Sequence, residues 1–378
     1  QDCSGLTGTL TIPNSVTFDR FVFKGCSGFS SLVIENGVTQ LDRGIFQDCS
    51  GLTGTLTIPN SVTFIDAIAF DGCSGFTGSL IIPNSVTSME EGFSSSNDSS
   101  GVFGNCSFTS VTLPSEITRI PSGFMVNCTN LSNINYNNAA ITEIGSGAFD
   151  SCGFTGTLTI PDAVTTIQDG AFTNTGITSL VLPSSIKHIG GGTWNFSGAF
   201  SECQSLTGTL TLPEGLETIG GWAFSKCSLT GSLVFPSTLK EIGYGAFDSI
   251  GSGSPKNNFT GAVIIPEGVT ILGFYVFRSC LGITSLTIPS TIIDLEIHCA
   301  FGDILSGVTS CTNVNLYLSR DSIDVINGFG DSIDIFNGSS VSTLHVRAGD
   351  TSWTAGGGQT ISGKSGITVI KDLPNIGL

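Results

Sequence analysis

Short apolar clusters recur along the chain, separated every few residues by Ser, Thr, Asn, Gly or Pro. Around Leu10 and Ile12 apolar and polar residues alternate, and this period of two is typical of a strand with one buried face. Pro13 then ends the strand, because proline lacks an N–H and fixes φ. A second short extended piece follows, as at Val62 and Ile65. The pattern therefore predicts pairs of short strands joined by a corner.

Repetition of this pattern is the strongest signal in the sequence. Residues 1–18 recur unchanged at 47–64. Aligning the residue after L-x-[IL] gives fourteen coils, most of them 22 to 24 residues apart, at Pro13, Glu35, Pro59, Pro83, Pro114, Asn137, Pro161, Pro183, Pro213, Pro236, Pro266, Pro289, Ser319 and Arg347. One such unit cannot bury its own apolar face, so the units must stack. We predict a repeat solenoid, a right-handed superhelix of about fourteen coils with short parallel β-strands, turns and short helical segments.

An Ala-Phe pair returns in most coils, at Ala69-Phe70, Ala148-Phe149, Ala171-Phe172, Ala199-Phe200, Ala223-Phe224 and Ala246-Phe247. The small residue allows close approach, and the ring fills the coil. Coils stacked about 4.8 Å apart would place every ring beside two equivalents. The sequence therefore predicts a continuous spine of Phe side chains.

The repeats predict one long domain, the solenoid at 1–347, followed by a C-terminal Gly-rich segment at 348–378 whose Ile367–Ile370 stretch would form a capping strand. Residues 1–3 match the middle of a later repeat, and neither an initiator Met nor a signal peptide precedes them. The chain is therefore expected to be a fragment that starts in the middle of a repeat.

The pattern SVTxIxxxAFxxCSxLTGxLTIP resembles the BspA-like surface-protein family, related to treponemal leucine-rich repeats. The resemblance covers roughly residues 3–347, although Glu35, Asn137, Ser319 and Arg347 depart at the proline position. It implies a leucine-rich-repeat-type solenoid in a secreted or cell-surface protein that adheres to host or matrix proteins or to other cells. It implies no particular ligand.

Charge narrows the set of partners. Lys and Arg number 13 against 30 Asp and Glu, so the formal net charge is -17 and the chain would repel nucleic acid and anionic membrane surfaces. No uninterrupted apolar run reaches the roughly 18 residues that a membrane helix needs. We therefore predict no nucleic-acid partner and no direct membrane insertion by this fragment.

Most of the twelve cysteines fall three residues after the Phe position, at Cys3, Cys26, Cys49, Cys73, Cys106, Cys128, Cys152, Cys203, Cys227 and Cys280. The preferred interpretation is a ladder of buried free thiols. Disulfides between neighbouring coils are an alternative that suits an exported protein, whereas a linear ladder does not bring together the four ligands that zinc needs. Cys299 stands outside the ladder, and we interpret it as a core residue.

Insertions mark candidate contact loops, because a solenoid places insertions at its corners. Residues 92–101 and 190–198 interrupt the same segment of coils four repeats apart. The candidate contact residues there are Trp194, Asn195, Phe196, Asn97 and Asp98, and the alternative is that Trp194 packs back onto the solenoid. N-x-[ST] sequons, which would suit N-glycosylation, occur at Asn97, Asn105, Asn127, Asn130, Asn195, Asn258 and Asn337.

Catalytic and metal-binding motifs are missing. The chain has three His and none of the G-x-S-x-G, HExxH, P-loop or G-x-G-x-x-G motifs. Asp294, Glu296 and His298 would share one strand face as a metal site or, in the preferred interpretation, as a solvated polar face. The repeated DSID motifs at 321–334 fit calcium less well than acidic turns. We predict no enzyme activity, no cofactor and no metal.

Three functions remain. The first is an extracellular or cell-surface scaffold that binds protein or glycan partners in adhesion. The alternative is a structural subunit of a filament, sheath or appendage, which would self-assemble with like subunits. A minor alternative is ice or crystal binding through outward Ser and Thr columns, in which only four coils, at 9/11, 55/57, 157/159 and 209/211, carry a strict Thr-x-Thr pair.

Overall fold

Two compact units, Gln1–Ile177 and Thr178–Leu378, make up the chain. The structure, a computed structural model, describes residues 5–95, 98–137, 140–190, 197–250, 256–273, 275–292, 311, 313–316, 342–347, 355–361 and 364–373. In each unit the strands of successive coils pair in parallel, so each unit is a β-solenoid.

Short strands are the regular elements of the first unit. They are β1 (Gly8–Ile12), β2 (Phe29–Ile34), β3 (Gln40–Leu41), β4 (Phe64–Ile65), β5 (Thr77–Ile81), β6 (Ser88–Met89), β7 (Phe93–Ser95), β8 (Asp98–Ser100), β9 (Ser107–Thr112), β10 (Arg119–Ile120), β11 (Asn133–Asn135), β12 (Glu143–Ile144), β13 (Thr155–Thr159) and β14 (Thr166–Ile167). The strand β15 (Gly176–Val181) contains the residue at which the second unit begins.

The second unit continues with strands of the same kinds. They are β16 (His188–Ile189), β17 (Thr207–Gly208), β18 (Thr218–Ile219), β19 (Ser228–Gly231), β20 (Glu241–Ile242), β21 (Asn258–Phe259), β22 (Gly261–Ile264), β23 (Ile271–Leu272), β24 (Ile283–Ile288), β25 (Asn313–Leu316), β26 (Thr343–Arg347), β27 (Gly356–Ile361) and β28 (Lys364–Leu373).

Register places each repeat position above the same position of the next coil. In the first unit Leu10 pairs with Leu32, and Ile120 pairs with Ile144. The two-residue strands form ladders of their own, β3-β4-β6 and β10-β12-β14 in the first unit and β16-β18-β20-β23 in the second. Near the C-terminus β26 pairs in parallel with β28, and β27 pairs antiparallel with β28. The described residues form about twelve turns, so the predicted fourteen coils are not confirmed.

The A-F-x-x-C segments form turns, and the short helical segments predicted from the sequence do not occur in the described residues. Along such a segment, backbone amides alternate between donating to the next coil and donating within their own coil. Phe46 N donates to Ala69 O of the next coil at 2.9 Å, whereas Gln47 N closes a turn onto Gly44 O at 3.1 Å. A helix would keep all of these donors within the coil, so hydrogen bonding between coils takes the place of helix formation.

The predicted Phe spine is present in both units. In the first unit the ring centroids of successive coils lie 5.2 to 6.1 Å apart, through Phe23, Phe46, Phe70, Phe103, Phe124, Phe149 and Phe172. In the second unit Phe200, Phe224, Phe247 and Phe277 stack with planes within 10° of parallel. Met125 holds the backbone position of the repeated Phe, but the ring of Phe124 fills its place in the spine and contacts Phe103 and Phe149 edge-on.

Candidate binding surfaces

The cysteine ladder is a hydrogen-bonding device between coils. Nine cysteines of the predicted ladder and Cys311 are described, and all ten are buried and outside any disulfide, which agrees with the predicted ladder of thiols. Thiols donate to a main-chain oxygen of the preceding coil, as from Cys73 Sγ to Phe46 O at 3.1 Å, at Cys49, Cys73, Cys106, Cys128, Cys152, Cys227 and Cys280. Burial raises the pKa of the Cys128 thiol to about 12. At neutral pH such thiols are protonated donors and not nucleophiles. Cys299 lies outside the described residues.

Most of the predicted contact residues also lie outside the described residues, namely Trp194, Asn195, Phe196 and Asn97. Asp98 is described and begins β8, which pairs antiparallel with β7 through Ser95. The insertion at 92–101 therefore contains a pair of antiparallel strands. Its contact role stays a prediction.

The sequons differ in the environment of the Asn side chain. Asn127, Asn130 and Asn258 are exposed, and Asn105 is half-buried with Nδ2 donating to Asp71 Oδ1 at 2.9 Å. Asn97, Asn195 and Asn337 lie outside the described residues.

Asn105 and Asn127 have a conformational reason to be asparagine. Both precede the Cys of their coil at a position whose φ is positive in most coils, with values of 56° and 59° here. Glycine and asparagine adopt this left-handed region most readily. Part of the sequon pattern therefore follows from the turn.

The outward side of the longer strands carries the predicted columns of β-branched residues. In the first unit Thr11, Val33, Thr57 and Ile81 are exposed at the same repeat position, and Thr9 Oγ1 lies 2.7 Å from Ser31 Oγ in the neighbouring column. In the second unit Val234 and Ile264 are 69% and 62% exposed. These columns form uncharged surfaces without a charged or aromatic anchor.

Aromatic side chains gather at one corner of the second unit. Trp222 and Tyr244, in successive coils, have ring centroids 4.7 Å apart, and Tyr244 and Tyr275 have centroids 5.5 Å apart. The Arg278 guanidinium lies 3.8 Å from the Tyr275 ring centroid and 5.9 Å from that of Trp222. We call Trp222, Tyr244, Tyr275 and Arg278 the corner row. Its three rings are half-buried.

Arg278 is fixed by a buried carboxylate. Its Nε donates to Asp248 Oδ1 at 2.9 Å, a second nitrogen contacts Oδ2, and Asp248 is fully buried. Burial lowers the pKa of Arg278, but the hydrogen bond and charge of Asp248 outweigh it and raise the pKa above its usual value. The guanidinium is therefore charged and held in place against the rings.

Two residues of the corner row also have a left-handed backbone conformation, which Phe21 and Ile68 share at the same repeat position. Trp222 and Tyr275 have φ of 56° and 60°, at a position where Gly44, Gly147 and Gly170 stand in other coils. A left-handed conformation costs a side-chain-bearing residue roughly 1–2 kcal/mol. This row was not predicted from the sequence, although aligning the coils at this position shows large aromatic residues where glycine is common.

A cleft opens on the longer-strand side of the first unit. Its volume is about 720 Å³, and its lining includes Asn133, Tyr136, Phe154, Leu158 and Asp162. β11 and β13 flank it and belong to different sheets. We call it the Tyr136 cleft. A smaller cavity of about 330 Å³ in the second unit lies beside Phe235 and is lined mainly by apolar residues.

Metal binding and membrane insertion gain no support in the described part of the chain. It holds no group of three or more His, Cys, Asp or Glu side chains arranged for a metal ion. Asp294, Glu296, His298 and the 321–334 segment lie outside it. It also contains no helix of the length and apolarity that crossing a membrane requires.

Comparison with known proteins gives a family and a fold. Residues 1–98, 99–198, 196–301 and 248–323 match a family described as BspA type leucine rich repeat region. A solved leucine-rich repeat protein from Bacteroides ovatus is similar at a TM-score of 0.61 and 21% identity, over 92% of this chain and 85% of that chain. A leucine rich cell surface protein from Faecalibacterium prausnitzii gives 0.44 and 22%, over 84% and 90%. No curated protein matches the chain.

Proposed function

Because this chain belongs to the BspA-type leucine-rich repeat family, we propose that it is an extracellular or cell-surface scaffold that binds protein or glycan partners in adhesion. Members of the family are generally surface proteins. A stacked solenoid supports this role, since each coil presents side chains at the same corner and on the same face. In addition to the corner row, the loops around Asp98 and Trp194 stay proposed contact surfaces.

The corner row carries the proposal. Trp, Tyr and Arg are the residue types most enriched among the side chains that dominate binding energy in interfaces. Here all three types stand together on successive coils, half-exposed, with the cation held by Asp248. Side chains already fixed in the free protein lose little conformational entropy on binding. Trp222 and Tyr275 also keep a left-handed backbone conformation that favours glycine. This strain is explained if their rings contact a partner.

A binding experiment with one variant and a matched control tests this proposal. The full chain would be measured by biolayer interferometry against purified extracellular-matrix proteins and a glycan array. Trp222→Gly restores the glycine found at this position in other coils, so folding should be retained while affinity falls about tenfold or more. Phe21→Gly is the control, because Phe21 occupies the same repeat position with a φ of 61° and is 38% exposed. Equal binding by both variants, or no binding by the parent chain, would contradict the proposal.

The alternative role as a structural subunit makes a different prediction. A filament or sheath subunit would self-associate, because its partner is another copy of the same chain. Light scattering across a concentration series distinguishes the two roles. An adhesive scaffold is expected to keep one molar mass, and growth into long assemblies would favour the structural role.

A further inference from the structure

The Tyr136 cleft is a one-sided opening between two stacked coils. β11 pairs with β9, and among the described strands it has no partner on its other side, where β13 would follow. The same coils stay stacked elsewhere, since Glu143 pairs with Thr166 and Cys152 Sγ reaches Met125 O at 3.2 Å. The opening is therefore local, and the coils that form it stay stacked on either side of it.

The sequence of one coil accounts for the opening. Where other coils of the first unit place a buried Ile or Leu, as at Ile82 and Ile160, this coil has Tyr136, and Asn137 follows in place of proline. Asn137 has a φ of 49°, and its Nδ2 donates to Asn84 Oδ1 at 3.0 Å. A tyrosine is longer than the aliphatic residue it replaces and carries a hydroxyl that a close-packed coil cannot accommodate.

The Tyr136 hydroxyl is the clearest sign that something binds here. Its oxygen is buried and has no hydrogen-bond partner within the described part of the protein. A buried polar group without a hydrogen bond destabilises the fold and calls for an explanation in each case. Burial raises the pKa of Tyr136, so the group stays a neutral donor and acceptor. A ligand that both accepts and donates would satisfy it.

The lining limits what that ligand can be. The floor is apolar, with Phe154, Leu158 and Ile177 buried, and Asn133, Thr157 and Asp162 stand exposed at the rim. None of the lining residues is a Lys or Arg, and the one charge is the carboxylate of Asp162, so an anion would be repelled. About 720 Å³ falls within the usual range of small-molecule sites.

We propose that the Tyr136 cleft binds a neutral sugar unit of a glycan, with the Tyr136 hydroxyl and the Asn133 amide as hydrogen-bonding groups and Phe154 in the apolar floor. A sugar has C–H faces that pack on apolar surface and hydroxyls that both donate and accept, as the tyrosine hydroxyl and the asparagine amide together do. A purely apolar ligand would leave the Tyr136 hydroxyl unsatisfied. This inference rests on the proposed role of the chain as a binding scaffold and names one class of partner.

Titration with defined sugars tests the cleft. The full chain would be titrated with lactose, cellobiose and N,N′-diacetylchitobiose, and with anionic 3′-sialyllactose, by calorimetry and saturation-transfer NMR. At least one neutral disaccharide is expected to bind, and more tightly than sialyllactose. Tyr136→Phe removes only the hydroxyl and should weaken binding about tenfold without lowering the melting temperature. Tyr136→Ile restores the residue type of other coils and should abolish binding. Ser85→Ala is the matched control and should have no effect, because it removes another buried hydroxyl without a described partner that lies outside the cleft lining.

Several outcomes would overturn the proposal. One is the absence of neutral-sugar binding up to about 10 mM, and another is binding that Tyr136→Phe and Tyr136→Ile both leave unchanged. A third is capture of an extended Thr- and Val-rich peptide, lost in Tyr136→Ile, with no sugar binding. Tyr136 and Trp222 lie in different units, so the two proposals can fail separately. Failed sugar titrations leave Trp222-dependent partner binding to be measured, and failed partner binding leaves the sugar titrations valid.

Discussion

Phe70 and Phe103 lie in successive coils with ring centroids 5.3 Å apart and ring planes inclined by 8°. Both rings are fully buried, and Phe70 also stacks on Phe46 at 5.2 Å. Each ring thus fills its own coil and covers the coils on both sides. Stability is shared between neighbouring coils, as expected for a solenoid.

Removing one ring of the spine should destabilise the first unit strongly. We expect Phe70→Ala to lower the free energy of unfolding by about 3–5 kcal/mol, because the cavity would be bounded by two other rings that cannot collapse into it. Urea denaturation followed by circular dichroism measures this. Ile81→Ala, at a side chain that is 63% exposed, is the control and should change stability by less than about 0.5 kcal/mol. Equal effects of the two substitutions would show that Phe70 is not a core residue.

The buried thiols should make stability fall at alkaline pH. Burial raises the pKa of Cys73, Cys106 and Cys227 well above 9.0, and that of Cys128 to about 12. A group whose folded pKa is raised stabilises the fold fully below its unfolded pKa, and this contribution is lost as pH rises through the folded value. We expect the melting temperature to fall above about pH 9.

Replacement of ladder cysteines checks that cause. A variant with Cys106→Ala and Cys128→Ala should be less stable than the parent chain at pH 7. Between pH 8 and pH 11, however, its melting temperature should fall less than that of the parent chain. In addition, the native thiols should react slowly with a thiol reagent and quickly in denaturant. Rapid modification of all cysteines in the native protein would contradict their burial.

The fold should be more stable when the Asp71 carboxyl is protonated. Burial raises the pKa of Asp71, although Asn105 Nδ2 and the Gly101 amide donate to it. The stability that the protonated carboxyl contributes is present below the pKa of the unfolded state. It is lost as pH rises through the pKa of the folded state. Asp71→Asn should therefore melt higher than the parent at pH 7, with a difference that shrinks below about pH 4. Asp19→Asn, at an exposed position, should show no such change.

Two glycines at equivalent positions of identical sequence segments should respond differently to alanine. A Cβ on Gly51 would stand 1.9 Å from Ser27 O of the preceding coil, whereas a Cβ on Gly5 would meet nothing within 4 Å. We expect Gly51→Ala to cost about 1–3 kcal/mol or more, because backbone must move to accommodate it. Gly5→Ala should be close to neutral in the same denaturation assay. A neutral Gly51→Ala would mean that the coils are less closely stacked there.

The repeat length, the corner after the first strand, the Phe spine and the cysteine ladder were all predictable from the sequence. Each follows from a residue type that recurs at a fixed spacing, such as the Phe three residues before Cys73. The predicted helical segments are not confirmed in the described residues, because the sequence pattern does not tell whether an amide bonds within its coil or to the next one. In the same way, Met125 marked the correct backbone position while the ring of Phe124 fills the space.

The candidate sites depend on departures from the repeat, and these gain meaning only in three dimensions. Trp222, Tyr244 and Tyr275 are far apart in sequence, and stacking alone brings them to one corner beside Arg278. Only the structure showed that Tyr136 lines a cleft and that its buried hydroxyl has no hydrogen-bond partner in the described part of the protein. The insertion loops around Trp194 were conspicuous in the sequence, but they lie outside the described residues.

Residues 1–18 and 47–64 have the same sequence, so a comparison of the two segments separates what the sequence determined from what the tertiary structure decided. The sequence by itself determined a proline corner and an apolar side in both segments, whereas Gly8–Ile12 form strand β1 and the equivalent residues 54–58 have only isolated β-bridges at Gly54 and Thr57. Only the tertiary structure decided burial: Leu52 and Val62 are 0% exposed, whereas the equivalent Leu6 and Val16 are 52% and 50% exposed. The physical reason is that a coil covers its apolar side with its neighbours, and no described coil precedes Leu6.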